Sequence, residues 1–281
     1  MKKSTTQING HTSAAVYKAP RLTVAKQINA MTSASFVTSL ARGLAVIQAF
    51  TESCEPQTMA LISKKTGIPR AAVRRCLYTL RQLNYVEAEQ NNFTLSPKVL
   101  SLGHSYFSAT PLTILSQPYL DSISRELGES CSLAVLDGDE VLYVARSAAP
   151  RVMTVGQSAG SRLPAYCTSL GRVMLAYLSP KELDAYLAQV HMKAMTSNTV
   201  NTQKRLRKIL LKVRETGYAI NDEEYELGLR SIAVPIIGTS GEIMAALNVG
   251  TQASLISIES MREKILPVLL RGAQEISLLL R

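Results

Sequence analysis

Histidine is scarce in this 281-residue chain, occurring only at His11, His104 and His191. These positions read as a tail, a linker and a loop, so no pattern supplies the base that a catalytic nucleophile ordinarily needs. Cysteine is scarce as well. Cys54, Cys76, Cys131 and Cys167 are widely spaced, with no CxxC pair and no nearby histidine pair. That spacing argues against a zinc framework or a disulfide scaffold and points to a reducing cytoplasm. Neither a metal nor a cofactor is expected. No apolar run reaches the roughly 20 residues of a membrane span, so no membrane partner is expected. No internal repeat is visible. Acidic residues are missing from 1–35, a stretch holding five Lys/Arg. It superficially resembles an organelle transit peptide but lacks a clean amphipathic period. Residues 1–34 read instead as a flexible basic tail able to add nonspecific phosphate contacts.

What the chain does have is positive charge, unevenly placed. The formal net charge is +10. Residues 36–110 carry eight Lys/Arg against four Asp/Glu, whereas 111–281 carry eighteen against seventeen. The excess therefore lies in the N-terminal third. A chain of this length holds two domains with cores of their own. The charge layout suits a basic module that meets nucleic acid, joined to a nearly neutral module that meets a small molecule or a second subunit.

The basic module is organised around Thr58 to Tyr85. Thr58 is a good N-cap for a short helix over Met59 to Thr66 with Ile62 inside. Gly67 tolerates the positive φ of a helix end, and Pro69 suits the start of a second helix. There, Val73, Leu77, Leu80 and Asn84 recur at helical spacing beside Cys76, marking the buried face. The opposite face carries Ala71, Arg75, Tyr78 and Gln82, flanked by Arg70, Arg74 and Arg81. Arginine forks to guanine O6 and N7 or clamps phosphates, and such a second helix fits the DNA major groove. A solvated basic helix in an ordinary bundle is the alternative. The residues after Tyr85 favour DNA: two short strands around Asn91-Asn92, a pair that tolerates positive φ. Helix, turn, helix, hairpin is the order of a winged helix, placed at 35–96. The expected DNA-contacting residues are Arg70, Ala71, Arg74, Arg75, Tyr78 and, on the wing, Asn91. Upstream, Ser39 can cap a helix lined by Leu40, Leu44, Ile47 and Phe50, a candidate subunit contact. Downstream, Pro97 opens a linker helix over 97–111, ended by Thr110-Pro111.

Residues 112–281 read as an α+β effector-binding and oligomerisation domain. Helices are expected over Leu112 to Leu127, Leu170 to Leu178, Pro180 to Gln189 (a capping box from Ser179 to Glu182), Thr202 to Thr216 and Ile258 to Leu280. Hairpins are expected around Asp137-Gly138-Asp139-Glu140 and Gly238-Thr239-Ser240-Gly241, with further strands at Val152 to Gly156 and Tyr218 to Asn221. One constellation points to a ligand. An irregular loop from Gly160 runs into a helix whose free amides fall near Ser169 to Arg172, where an anion is favoured. Thr168 and Ser169 can add hydroxyl bonds, and Arg162 can pair with a carboxylate. Asp222 and its neighbours from Asn221 to Ser231 would close over the pocket. Asn248 interrupts an apolar strand and needs a partner, from protein or ligand. The plainer alternative has Ser169 capping its helix, Asp222 and Glu224 solvating a loop, and Asn248 stitching two strands.

Five separated stretches, FVTSLARGLAVIQAF, ISKKTGIPRAAVRRCLYTLRQLNYV, FTLSPKVLSLGHSYFS, RLPAYCTSLGRVMLA and DEEYELGLRSIAVPI with AALNV, resemble in order the IclR family of bacterial transcription regulators, in particular its aromatic-catabolism branch. The resemblance covers about residues 36–281. It implies a winged helix–turn–helix, a linker helix and a GAF-like effector domain, in dimers or tetramers on a double-stranded operator. By position it places ligand-contacting backbone at Ser169 and Leu170 and pocket-lining polar side chains at Ser231 and Asn248. The implied effector is a small carboxylate such as beta-ketoadipate, protocatechuate or 4-hydroxybenzoate. The basic N-terminal extension and Gln90-Asn91-Asn92, where many relatives carry a glycine-containing wing tip, depart from the pattern. A rival from another class is an enzyme acting on a small acid through Cys167 or Ser169. A third reading is nonspecific nucleic-acid binding through the tail, without operator preference.

Overall fold

The computed structural model describes residues 28, 33, 35–50, 55–149 and 157–280. The basic tail expected over 1–34, residues 28 and 33 apart, and the strand expected over Val152 to Gly156 lie outside the described residues. The chain divides into two compact units that part between Thr110 and Pro111.

The N-terminal unit begins with α1 (Thr38–Gln48), β1 (Gln57–Thr58), α2 (Met59–Thr66) and α3 (Arg70–Gln82). A hairpin of β2 (Val86–Glu89) and β3 (Asn92–Leu95) comes next, and the three strands form an antiparallel sheet in the order β1-β3-β2. A short 3-10 turn, Pro97–Val99, leads into α4 (Leu100–Ala109). Thr58 caps α2, its hydroxyl accepting from the Leu61 amide at 3.3 Å, and Gly67 closes it at φ 72°. Val46, Ile62, Ile68, Val73, Leu77 and Val86 are buried together as this unit's core.

Three local expectations need correction. Ser39 is not a cap: the helical bonding begins earlier, with Ala41 N donating to Val37 O at 3.2 Å, so Ser39 lies inside α1. Asn84 is not on the buried face of α3. It is exposed beyond the helix end at φ 61°, while Tyr85 N reaches back to Leu80 O at 2.8 Å. That is a left-handed helix terminus, which asparagine tolerates. The wing turns at Gln90 and Asn91 rather than Asn91 and Asn92, because Asn92 already pairs with Glu89 in the ladder.

The C-terminal unit starts with α5 (Pro111–Leu127), then the hairpin β4 (Ser130–Asp137) and β5 (Glu140–Ser147) and the short strand β6 (Arg162–Pro164). Then come α6 (Ser169–Ala176), α7 (Pro180–Gln189), α8 (Gln203–Thr216), β7 (Ala219–Asp222), β8 (Leu229–Ile237) and β9 (Ile243–Gln252). Six antiparallel strands run β6-β5-β4-β9-β8-β7. Both faces of the sheet are covered. Leu133, Ile232, Leu247 and Val249 share one core with Leu120 of α5 and Leu269 of the last helix. Ala134, Ala233 and Ala246 share the other with Leu170 and Val173 of α6 and Leu206 of α8. The period-2 alternation thus sends large residues to one face and alanines to the other, where a helix must come close. The last helix, α9, runs through Ile258–Ser260, widens into a π turn over Met261–Ile265, and continues as Leu266–Leu279. Pro267 brings no N–H to its helix, and the wider turn just ahead of it fits that missing bond. Among the described residues no helix is long and apolar enough to cross a membrane.

Candidate functional site

Helix α3 buries Val73, Leu77 and Leu80 and turns Arg70, Ala71, Arg74, Arg75, Tyr78, Arg81 and Gln82 outward. Tyr78 is 66 % exposed among these arginines. None of Arg70, Arg74, Arg75 and Arg81 has a carboxylate partner among the described residues. Unpaired guanidinium groups on one helical stripe are the donors that base edges and phosphates accept. Asn91 sits exposed at the wing tip. Beside the stripe, Leu40 and Leu44 are 62 % and 49 % exposed and line an apolar groove with Ile47, Cys76 and Leu83.

The second site is a cleft between the start of α6 and the sheet. Ser130 and Ser132 of β4, Tyr143 and Arg146 of β5, Ser231 of β8 and Asn248 of β9 form its floor. Thr168, Ser169, Asn221 and Tyr225 form its walls. Thr168 caps α6, accepting from the Gly171 amide at 3.2 Å while donating to Pro164 O at 3.1 Å. Arg172 N bonds to Thr168 O at 3.0 Å. The amides of Ser169 and Leu170 find no acceptor among the described residues, and of the two Ser169 lies at the cleft, at the positive end of the helix. Gly171 is required here, because a Cβ on it would run into the backbone of Ala165. The Ser169 and Ser231 hydroxyls meet at 2.8 Å, and Asn221 donates to Cys167 O at 2.8 Å.

Two groups in the cleft are under-satisfied. Asn248 is 7 % exposed and its Oδ1 has no hydrogen-bond partner among the described residues, a costly state for a buried acceptor. Arg146 donates to Ser132 Oγ at 3.2 Å and to Gln157 Oε1 at 3.5 Å, and no carboxylate pairs with it among the described residues. Burial lowers the Arg146 pKa and raises that of Tyr143, so an anion entering the cleft would offset the desolvation of that guanidinium.

Four of the residues expected from sequence come together here: Thr168, Ser169, Ser231 and Asn248. Leu170 is fully buried in the core and does not line the cleft. Two expectations are corrected. Arg162 stands outside the cleft, because the pairing of β5 with β6 brings it to Asp137 and, at 3.1 Å, Glu140. Asp222 is likewise drawn aside, to Arg230 at 2.6 Å. The plainer alternative is also revised. Thr168 rather than Ser169 is the cap, and Glu224 is not solvating a loop but sits 8 % exposed against buried Arg172. Arg146, Tyr143 and Ser132 were missed, although an arginine inside the apolar run Val141–Ser147 was a signal. Burial pushes the Cys167 thiol up to about 11, so it stays protonated near neutral pH, which argues against the nucleophile role.

The family model for the C-terminal domain of the bacterial transcriptional regulator IclR matches residues 104–278, and that for the IclR helix-turn-helix domain matches 39–90. The chain belongs to the IclR family of transcription regulators. A Pca regulon regulatory protein from Pseudomonas putida is 49 % identical over 254 residues, 90 % of this chain and 87 % of that one. A transcriptional regulator from Rhodococcus has a solved structure that superposes with a TM-score of 0.77 at 43 % identity, covering 87 % and 98 % of the two chains. The inducer-binding domain of the Acinetobacter PobR transcription factor, solved as a double mutant in complex with 3-hydroxybenzoic acid, covers 58 % of this chain and 96 % of its own. Its TM-score is 0.56 at 32 % identity. Like other IclR regulators, this chain is a transcription factor and not an enzyme.

Proposed function

We propose that the protein switches genes for aromatic-acid breakdown, reading operator DNA with α3 and the wing while an acid occupies the cleft. The observation that carries the effector reading is the pairing of two anion-seeking features in one cavity, the free Ser169 amide opening α6 and the unpaired Arg146. A dicarboxylate answers both at once, which favours beta-ketoadipate, and Asn248 would then meet the group between its ends. The PobR inducer-binding domain, whose structure holds a hydroxybenzoic acid, supports a second reading in which protocatechuate or 4-hydroxybenzoate places its carboxylate on Arg146 and its ring hydroxyl near α6. Calorimetric titration of the purified protein with these three acids separates the two readings. Heat from none of them ends the proposal. Arg70, Arg74 and Arg75 would supply phosphate and guanine contacts, with Ala71, Tyr78 and Asn91 beside them. A second copy of the chain would cover Leu40 and Leu44, making the homodimer that a two-fold operator requires. Sedimentation of Leu40→Glu/Leu44→Glu checks this, with no loss of dimer as the contrary result. The direction of control is proposed as activation, to be tested by transcription from the operator-bearing promoter with and without acid.

A further inference from the structure

One turn beyond the amides that open α6, a charge lies where charges are rarely kept. Arg172 is 1 % exposed, and its Nη1 and Nη2 meet Glu224 Oε1 and Oε2 at 2.5 and 2.7 Å. Arg172 Nε donates to Tyr166 O at 3.1 Å, and Glu224 Oε2 also accepts from Val200 N at 2.8 Å. A buried pair of this kind adds little net stability over an apolar filling, yet removing one partner is costly. Its value therefore lies in what it joins. On one side is the helix whose first turn lines the cleft. On the other is the strap from Glu223 to Gly228, whose Tyr225 also lines the cleft.

The strap is held from several directions. Glu223 adopts φ 56°, a left-handed conformation for a side chain with a Cβ, and its Oε2 accepts from Gly228 N at 2.8 Å. Thr199 Oγ1 donates to Glu224 O at 2.6 Å. Just beyond the strap, Arg230 donates to Ala253 O at 3.1 Å and Ile256 O at 2.6 Å, the turn that precedes α9. A continuous set of polar ties thus leads from the cleft to the root of the last helix.

We propose that the Arg172–Glu224 pair is the positioning link through which occupancy of the cleft is passed to the strap and on to the α9 root. The inference rests on the effector reading given under Proposed function. An acid bound at the Ser169 amide pulls on α6. Because the pair is bidentate and buried, a shift of α6 must carry Glu224 with it or break the pair. Ligand and strap then share a coupling free energy.

The test uses the full-length protein with Arg172→Met and Glu224→Gln together, the glutamine keeping an acceptor for Val200 N. Operator affinity is measured with and without saturating beta-ketoadipate, protocatechuate and 4-hydroxybenzoate, and acid affinity by calorimetry. The expected result is acid-free operator binding at the wild-type level, acid still bound, and an acid-induced change in operator affinity reduced to less than about twofold. A double variant that binds acid and keeps the wild-type response overturns the proposal. Hydrogen exchange on the wild type is the second measurement, useful should the variant fold poorly. Acid should slow exchange at 196–200 and 223–230, and unaltered exchange there overturns the link even though acid binds. A wild type that takes up none of the acids removes the effector reading itself, and this inference with it.

Discussion

The hydroxyls of Ser169 and Ser231 stand 2.8 Å apart, joining the first turn of α6 to β8, the strand next to the sheet's edge. Either oxygen can donate, so the pair keeps one spare hydrogen, and spare lone pairs on both oxygens, for whatever enters the cleft. Replacing Ser231 by valine removes that contact and leaves Ser169 facing a methyl. The effector dissociation constant should rise by roughly tenfold, the worth of about one hydrogen bond, with operator affinity in the absence of acid unchanged. Calorimetry beside an operator-binding titration checks both halves.

Arg146→Met should cost more. The lost interaction is charge-assisted, worth about 1.5–3 kcal/mol, or roughly ten- to a hundredfold in affinity. Arg162→Met, by contrast, removes pairs with Asp137 and Glu140 at the hairpin edge and should leave acid binding as it was. The reverse ranking would place the carboxylate anchor at Arg162 after all.

Asn248→Leu makes a two-way prediction. An orphaned buried oxygen disappears, so the acid-free protein should melt at the same temperature or higher. Acid binding should weaken by about tenfold or more in the same variant, if the ligand is what satisfies that amide. A lower melting temperature with unaltered acid affinity would make Asn248 a structural residue.

On the DNA side, Arg75→Ala should weaken operator binding by about 1–3 kcal/mol if it forks to a base, and acid binding should not move. A phosphate contact would reveal itself differently, as a salt slope shallower by about one unit across all sequences. Full operator affinity in the folded variant would remove Arg75 from the contact surface.

Gly171→Ala is a stability probe of the site. The added methyl meets the Ala165 backbone, which cannot rotate away, so overpacking should cost about 1–3 kcal/mol. Thermal melting reads the loss directly.

The winged-helix module was largely legible because its signals are local: a capping threonine, Gly67 at positive φ and an apolar stripe through Val73, Leu77 and Leu80. The wing tip slipped by one residue because Gln90, an unusual bearer of positive φ, takes the turn. In the effector module the loop-to-helix signature picked out Thr168 and Ser169. Arg146 stayed hidden for a geometric reason. Ala134 pairs with Tyr143 while Leu133 pairs with Ala145, so β5 carries one extra residue at this point. The bulge reverses the alternation and lets Tyr143 and Arg146, three apart, face the same cleft. Strict period-2 counting puts them on opposite sides. Arg162 was misplaced because its carboxylate partners lie more than 20 positions away in the chain, brought near by the sheet.

A sheet buried on both sides behaves as a bulkhead. Strands packed between alanines under α6 and large aliphatics under α9 are close-packed on both sides and resist bowing. A message from an acid bound in the cleft would then run around the rim, past β7 and the turn after β9, more readily than through the wall.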